Sequence, residues 1–348
     1  MRKEHNNRKR ILIDIGHPGH VHYFRNIYFQ LVENRYTVVV VARDKDVTHS
    51  LLNYYKIPFF NRGQGSDSRF GKFLYMLSAD LFLHKISRKN KIDFYLSFSS
   101  PYAAQVAWIR GKSHIAINDT EHTDKTHSIF TYPFSEKILT PYCYTSNLGN
   151  KQLRFQSIME AFYLLNGNFT FDEGILKKYG LSSSLPYIIL RFVSWNAHHD
   201  FGERGIDLQT SHKLIKQLES KGYKVLISSE KEIDSSLESY RLECRAEDIH
   251  HILYGAKLFI GESATMASES AMLGTFAVYI NSLPLMGYLK LEQENGLLKH
   301  FSSPAKVIDF VSQLNIEELN LFDNIKLLAR DWEDPNDFLF SIIQNDSL

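Results

Sequence analysis

Along the chain, short runs of apolar, largely β-branched residues alternate with stretches whose apolar positions recur every three or four residues. In the first half the runs are Ile11–Ile15, Tyr36–Ala42, Ile57–Phe60, Phe94–Phe98, His114–Ile117 and Lys137–Thr140. They are apolar almost without interruption, the pattern of parallel strands covered on both faces. The helical stretches between them are 22–33, 45–55, 70–89 and 101–110. The second half repeats the alternation. Its strands are Tyr187–Phe192, Lys224–Ser228, Lys257–Ile260 and Phe276–Ile280, and its helices about 208–220, 248–256, 264–273, 304–313 and 322–332. Such alternation predicts an α/β fold of doubly wound, Rossmann-like sheets. Residues 166–186, which hold Asn, Gly, Ser and Pro, break both periods. They are expected to link a domain over 10–165 to a second over 187–348. Residues 1–9 are expected to form a mobile basic tail.

The length of 348 residues suits two such domains. Lys and Arg number 40 against 39 Asp and Glu, a net charge of +1, so no general field for nucleic acid exists. Two cysteines, Cys143 and Cys244, cannot frame a disulfide-stapled domain and suit a reducing, cytoplasmic location. No apolar run approaches the roughly 20 residues of a transmembrane helix. The stretch 70–91 places Phe70, Phe73, Leu74, Leu77, Leu81 and Phe82 near one helical face, with Lys72, Lys85, Arg88, Lys89 and Lys91 beside them. Packing of that face on the sheet is the expectation; peripheral contact with the inner face of a membrane is the alternative.

In open α/β sheets ligands bind beyond the carboxyl ends of the strands, and two facing lobes would leave a cleft there. Four segments fall at such ends. The first is Asp14-Ile15-Gly16-His17-Pro18-Gly19-His20-Val21-His22, where Gly16 and Gly19 allow close backbone approach. Its three histidines admit a metal reading, without a cysteine cluster to support it. The second, Asn118-Asp119-Thr120-Glu121-His122, brings two acids and a histidine to another strand end, or forms an Asx-type turn. The third runs from Arg191 to Asp200. There Trp195 could stack on a base or sugar ring, and Arg191 or His198 could meet a diphosphate. The fourth, from Lys257 to Ile280, is a strand, then Gly261-Glu262-Ser263, a helix of small residues, and a stop at Gly274. A helix opening with Ser263, Ala264 and Thr265 can offer free N–H groups to phosphate. Glu269 has no basic residue three or four positions away and could accept hydrogen bonds from a ribose.

The fourth segment resembles the nucleotide-sugar half of GT-B glycosyltransferases, such as the transferase that makes lipid II. That resemblance assigns Gly261, Ser263, Ala264 and Thr265 to the diphosphate turn and Glu269 to the ribose. Glu262 departs from the pattern, because an acid there would repel a diphosphate unless it turns away. The Gly19-His20-Val21 turn is similar to the Gly-rich turn of the same family and implies His20 as general base, with Gly16, His17 and Gly19 around the acceptor. Asp119 and Glu121, with His198, resemble the acid- and histidine-bearing segments of UDP-N-acetylglucosamine 2-epimerases, which share the fold. Over most of its length the chain also resembles an uncharacterised prokaryotic family often associated with surface-polysaccharide genes. Together these resemblances imply a GT-B transferase using a nucleotide-diphosphate sugar, UDP-linked by preference, and a glycan or lipid-linked acceptor. No metal or other cofactor enters this scheme. The alternatives are a UDP-sugar 2-epimerase and a non-catalytic nucleotide-sugar-binding partner.

Overall fold

The computed structural model describes residues 9–66, 69–165, 167–182, 184–192, 206–229 and 232–345. The basic tail over 1–8 and the loop bearing Trp195 and His198 lie outside the described residues. Two compact units emerge. Unit 1 comprises Met1–Asn168 with Trp332–Leu348, and unit 2 comprises Phe169–Asp331.

Unit 1 runs β1 (Arg10–Ile15), α1 (Pro18–Glu33), β2 (Thr37–Ala42), α2 (Thr48–Tyr54), β3 (Phe59–Asn61), α3 (Arg69–Asn90), β4 (Phe94–Phe98), α4 (Pro101–Ile109), β5 (Ser113–Ile117), α5 (Asp124–Phe130), β6 (Lys137–Pro141) and β7 (Gln152–Phe155). Among the described residues its sheet has the order β3-β2-β1-β4-β5-β6-β7, and every pairing is parallel. Ile11, Leu12 and Ile13 of β1 are fully buried, as central-strand residues covered on both faces must be. α1 opens with Pro18 at its first turn and turns Val21, Phe24, Ile27, Tyr28 and Leu31 inward at helical spacing.

Unit 2 runs α6 (Glu173–Lys178), β8 (Tyr187–Phe192), α7 (Leu208–Ser220), β9 (Lys224–Ser229), α8 (Ile249–Gly255), β10 (Leu258–Gly261), α9 (Ala264–Met272), β11 (Ala277–Ile280), α10 (Gly287–Glu294), β12 (Leu298–Phe301), α11 (Val307–Gln313) and α12 (Phe322–Leu328). Its described strands are again all parallel, in the order β12-β11-β10-β8-β9.

In each sheet the strand order reverses once, between β1 and β4 in unit 1 and between β8 and β10 in unit 2. A crevice opens outside the carboxyl ends at such a reversal. Three of the four segments singled out above begin at these two points.

Two expectations are corrected. The second domain does not run from 187 to 348. The expected linker contains α6, which belongs to unit 2, while a last helix, α13 (Pro335–Asn345), returns to unit 1. There it buries Leu339 and Ile343, and Asn336 Nδ2 donates to the Phe162 carbonyl at 3.0 Å. The apolar face of α3 is only partly the expected one: Phe82 packs against the core, and the side chains of Phe70 and Phe73 lie outside the described residues. Ala79, Leu83 and Ile86 are buried, the last two in a core cluster with Leu12, Val39, Val41 and Tyr95. Leu74, Leu77 and Leu81 face outward, the last 72% exposed. The helix carries two apolar stripes, and the sheet can cover only one. No helix among the described residues is long and apolar enough to cross a membrane.

Candidate functional site

At the unit 1 reversal, β1 ends in a buried acid. Asp14 is fully buried and bonded from both flanks. Arg62, just past β3, donates from Nε to Asp14 Oδ1 at 2.9 Å, and the Ser100 hydroxyl donates to Asp14 Oδ2. Both side chains of the ion pair are sequestered, with 2% of Arg62 and none of Asp14 exposed. Arg62 also donates from Nη1 to the Tyr75 hydroxyl, and its guanidinium lies 4.9 Å from the centre of the Tyr102 ring. Burial opposes its charge most strongly, yet Asp14, Tyr75 and Tyr102 together outweigh that penalty and raise its pKa. Ser99, at φ 45°, makes the sharp turn after β4 and is held there by a bond from its hydroxyl to the Ile117 carbonyl. That turn lets Ser100 cap α4 as well as reach Asp14.

The histidines of the first segment behave unlike one another. His22 is buried, its ring stacked 5.4 Å from that of Tyr163, and so lies apart from the turn. His17 caps α1 and accepts the Gly19 N–H at Nδ1, 3.2 Å away. His20 packs 4.7 Å from the Phe98 ring and accepts the Gly16 N–H at Nδ1, also at 3.2 Å. Burial, the His17 ring and the charges of Lys45 and Arg62 hold His20 well below the ordinary imidazole pKa, so it is neutral at physiological pH. A backbone N–H can only donate, so Nδ1 of each ring is the acceptor and the ring proton sits on Nε2. His20 therefore presents an N–H donor, not the lone pair that a general base needs. In this arrangement the nitrogen facing away from Gly16 carries the proton, which does not favour the expected role of His20 as base. Several backbone donors of the turn are engaged too. Pro18 has none, and the N–H groups of Gly16, Gly19 and His20 bond within the turn.

Beyond β5, Asn118 and Asp119 are buried. Burial, with the Glu121 charge added, pushes the Asp119 carboxyl up to about 6, against a bond from the Thr120 hydroxyl at 2.7 Å. Glu121 accepts from both the N–H and the hydroxyl of Thr145, at 3.0 and 3.1 Å, so it braces the 145 loop. Asp124, which the sequence did not single out, accepts from the hydroxyls of Tyr132 and Tyr144.

In unit 2, β10 ends at Gly261, where a side chain has no room: a Cβ would stand 2.6 Å from Arg191 Cβ and 2.8 Å from its carbonyl oxygen. The absence of a side chain lets β8 and β10 converge at the reversal. Arg191 is buried and donates from Nη1 to the Ser228 hydroxyl at 2.9 Å. Ser263 caps α9, accepting the Met266 N–H at 3.3 Å. Among the described residues the N–H groups of Ala264 and Thr265 have no hydrogen-bond partner. Glu262 turns away from them and accepts the Ile206 N–H at 2.6 Å. Glu269 does have a partner, supplied by another helix. His250 of α8 meets its Oε1 from Nε2 at 3.0 Å, and 6% of the Glu269 side chain stays exposed.

The sequence profile of a family described as Protein of unknown function (DUF354) matches residues 9–347. The chain belongs to that family. An uncharacterised protein of Methanocaldococcus jannaschii is 23% identical over 347 residues, covering 96% of this chain and 98% of its own. Among solved structures the chain is similar to the UDP-GlcNAc 2-epimerase of the same organism, in complex with UDP-GlcNAc and UDP, at TM-score 0.66 and 12% identity over 96% and 99% of the two chains. It is similar to Acinetobacter baumannii MurG at TM-score 0.58 and 15% identity, over 97% and 99%. A third likeness is to the glycosyltransferase SsfS6 of Streptomyces sp. SF2575, at TM-score 0.60 and 13% identity, over 96% and 99%. At these identities the likeness concerns the fold, and it is the GT-B fold of two Rossmann-like units.

The structure thus gathers Gly16, His17, Gly19 and His20 at one reversal and Arg191, Gly261, Ser263, Ala264, Thr265 and Glu269 at the other. Sequence reasoning missed Arg62, Ser100 and His250. Ser100 was legible, because Ser-Pro before an apolar helix is an N-cap signature. Arg62 and His250 carry no local signal, since their partners lie 48 and 19 residues away.

Proposed function

We propose that the protein is a glycosyltransferase that moves a sugar from a nucleotide-diphosphate donor, UDP-linked by preference, to a glycan or lipid-linked acceptor. One observation carries the reading: among the described residues α9 opens with two unpartnered N–H groups, while Glu262 beside them is engaged by the Ile206 N–H. A diphosphate would then meet donors and the positive end of a helix dipole, without facing Glu262. In this reading Ser263, Ala264 and Thr265 hold the diphosphate, and Glu269, fixed by His250, takes the ribose hydroxyls through its exposed fraction. Unit 1 takes the acceptor. Asp119, with its pKa near 6, is a better base for the acceptor hydroxyl than His20. Catalysis would come from positioning and from stabilising the charge on the departing nucleotide.

A 2-epimerase is the second reading. It is favoured by the same Asp119, which can take up and return a proton near neutrality, and by the fold shared with UDP-GlcNAc 2-epimerases. Incubation with UDP-GlcNAc in deuterated water, with no acceptor, separates the two. The transferase reading expects no deuterium at C2, and rapid incorporation there replaces it with epimerisation.

A further inference from the structure

The unit 1 reversal holds a cation whose fork is only partly used. Arg62 spends Nε on Asp14 and Nη1 on Tyr75. Its Nη2 has no hydrogen-bond partner among the described residues, although the side chain is 98% buried from solvent by its surroundings (2% exposed). Asp14 and Tyr75 hold the guanidinium, and its Nη2 lies beside Gly16. The point where a Gly16 side chain would begin lies 3.5 Å from Arg62 Nη2 and 3.7 Å from His20 Cε1. Gly16 thus leaves a small space open between a guanidinium edge and a neutral imidazole that carries its proton on Nε2. His17, next in the turn, also presents Nε2–H.

Three cations lie on this side of the turn: Arg62, Arg43 and Lys45. Arg43, after β2, lies 5.8 Å from the centre of the Tyr75 ring that also binds Arg62. Lys45 acts on both His17 and His20. Of the acids nearby, Asp14 is neutralised by Arg62, Asp46 sits 3.9 Å from Lys45, and Asp44 sits 3.5 Å from His49. Asp80 of α3 is raised to about 7 by burial and by Asp14, so half of it is uncharged at neutral pH. A buried guanidinium held by one carboxylate, with a free edge toward an open space, is a preorganised receptor for phosphate or carboxylate.

We infer that unit 1 carries an anion-recognition subsite at the β1–β4 reversal, formed by Arg62 Nη2 with the Nε2–H groups of His17 and His20, that takes a phosphate or carboxylate group. That the group belongs to the acceptor rests on the transferase reading; the subsite itself rests on Arg62. It recognises chiefly through side chains, because the N–H groups of Gly16, Gly19 and His20 are already bonded within the turn.

The test is calorimetric titration of the full chain with inorganic pyrophosphate, inorganic phosphate and glucuronate, each with and without saturating UDP. At least one of the three binds in the presence of UDP, and which one does distinguishes a phosphorylated from a uronic acceptor. Arg62→Lys keeps a charge against Asp14 but loses the fork, and weakens that binding at least tenfold while UDP affinity stays within twofold. Gly16→Ala fills the open space at ordinary contact distance and weakens it severalfold. This second variant serves if Arg62→Lys does not fold. The subsite is overturned if none of the three anions binds, if UDP abolishes all binding of them, or if both variants bind them as wild type does. Failure of the donor reading looks different, because UDP itself then does not bind.

Discussion

The two sheet reversals have the same topology and opposite chemistry. In unit 2 the donors belong to the backbone. Among the described residues Ala264 and Thr265 leave their N–H groups open, and Glu262 accepts the Ile206 N–H instead. In unit 1 the N–H groups of Gly16, Gly19 and His20 are spent inside the turn, and side chains offer donors instead: a buried guanidinium and two imidazoles with protons on Nε2. Backbone donors need a contiguous stretch of small residues, so the proposed unit 2 site draws on 261–269. Side-chain donors need long-range support, so unit 1 draws on residues 14, 62 and 100. A diphosphate common to all donors suits the first arrangement, and a group that must be told apart suits the second.

Breaking the Asp14–Arg62 pair should have the largest effect on stability. Asp14→Leu leaves a buried guanidinium without its carboxylate and should cost about 3–5 kcal/mol in denaturant unfolding. A loss below 1 kcal/mol would mean that the pair is not the foundation of the unit 1 site. Next comes Glu269→Gln, which keeps the shape but removes the charge from its hydrogen bonds. UDP affinity should fall by roughly 10-fold or more, as charge-assisted bonds contribute about 1.5–3 kcal/mol. Equal affinities would remove Glu269 from the ribose. Ser263→Ala removes the α9 cap and should cost about 1 kcal/mol. Because Ala264 and Thr265 stay open, UDP affinity should fall less than in Glu269→Gln. The smallest effect is on pH dependence. Asp119 acts as a base only when ionised, so turnover should decline as pH falls through about 6. His20, whose imidazole burial holds well below its ordinary value, is not expected to set this limb. A limb that survives unchanged in an active Asp119→Glu variant would assign it to another group.

The same contrast explains what the sequence could tell. Parallel strands such as β1 and β8 were readable because burial on both faces makes them continuously apolar. The α9 segment was readable because its donors, cap and acid lie within nine residues. The face of α3 was partly misread, since Leu74, Leu77 and Leu81 repeat at helical spacing as well as Ala79, Leu83 and Ile86 do. Which stripe packs is decided by the sheet beneath. The return of α13 to unit 1 depends on Asn336 and Phe162, 174 residues apart. His20 looked like a base from its type alone; its tautomer depends on the Gly16 N–H, which only the folded turn presents.

Amide hydrogen exchange at the start of α9, with and without UDP, tests the central claim most directly. The open N–H groups of Ala264 and Thr265 should exchange fast in the free protein and slow at least tenfold when UDP is bound, while the corresponding turn around Gly16 and Gly19 changes little. Bound UDP that leaves 264 and 265 unprotected, or that protects the Gly16 turn in their stead, contradicts the assignment of the nucleotide to unit 2.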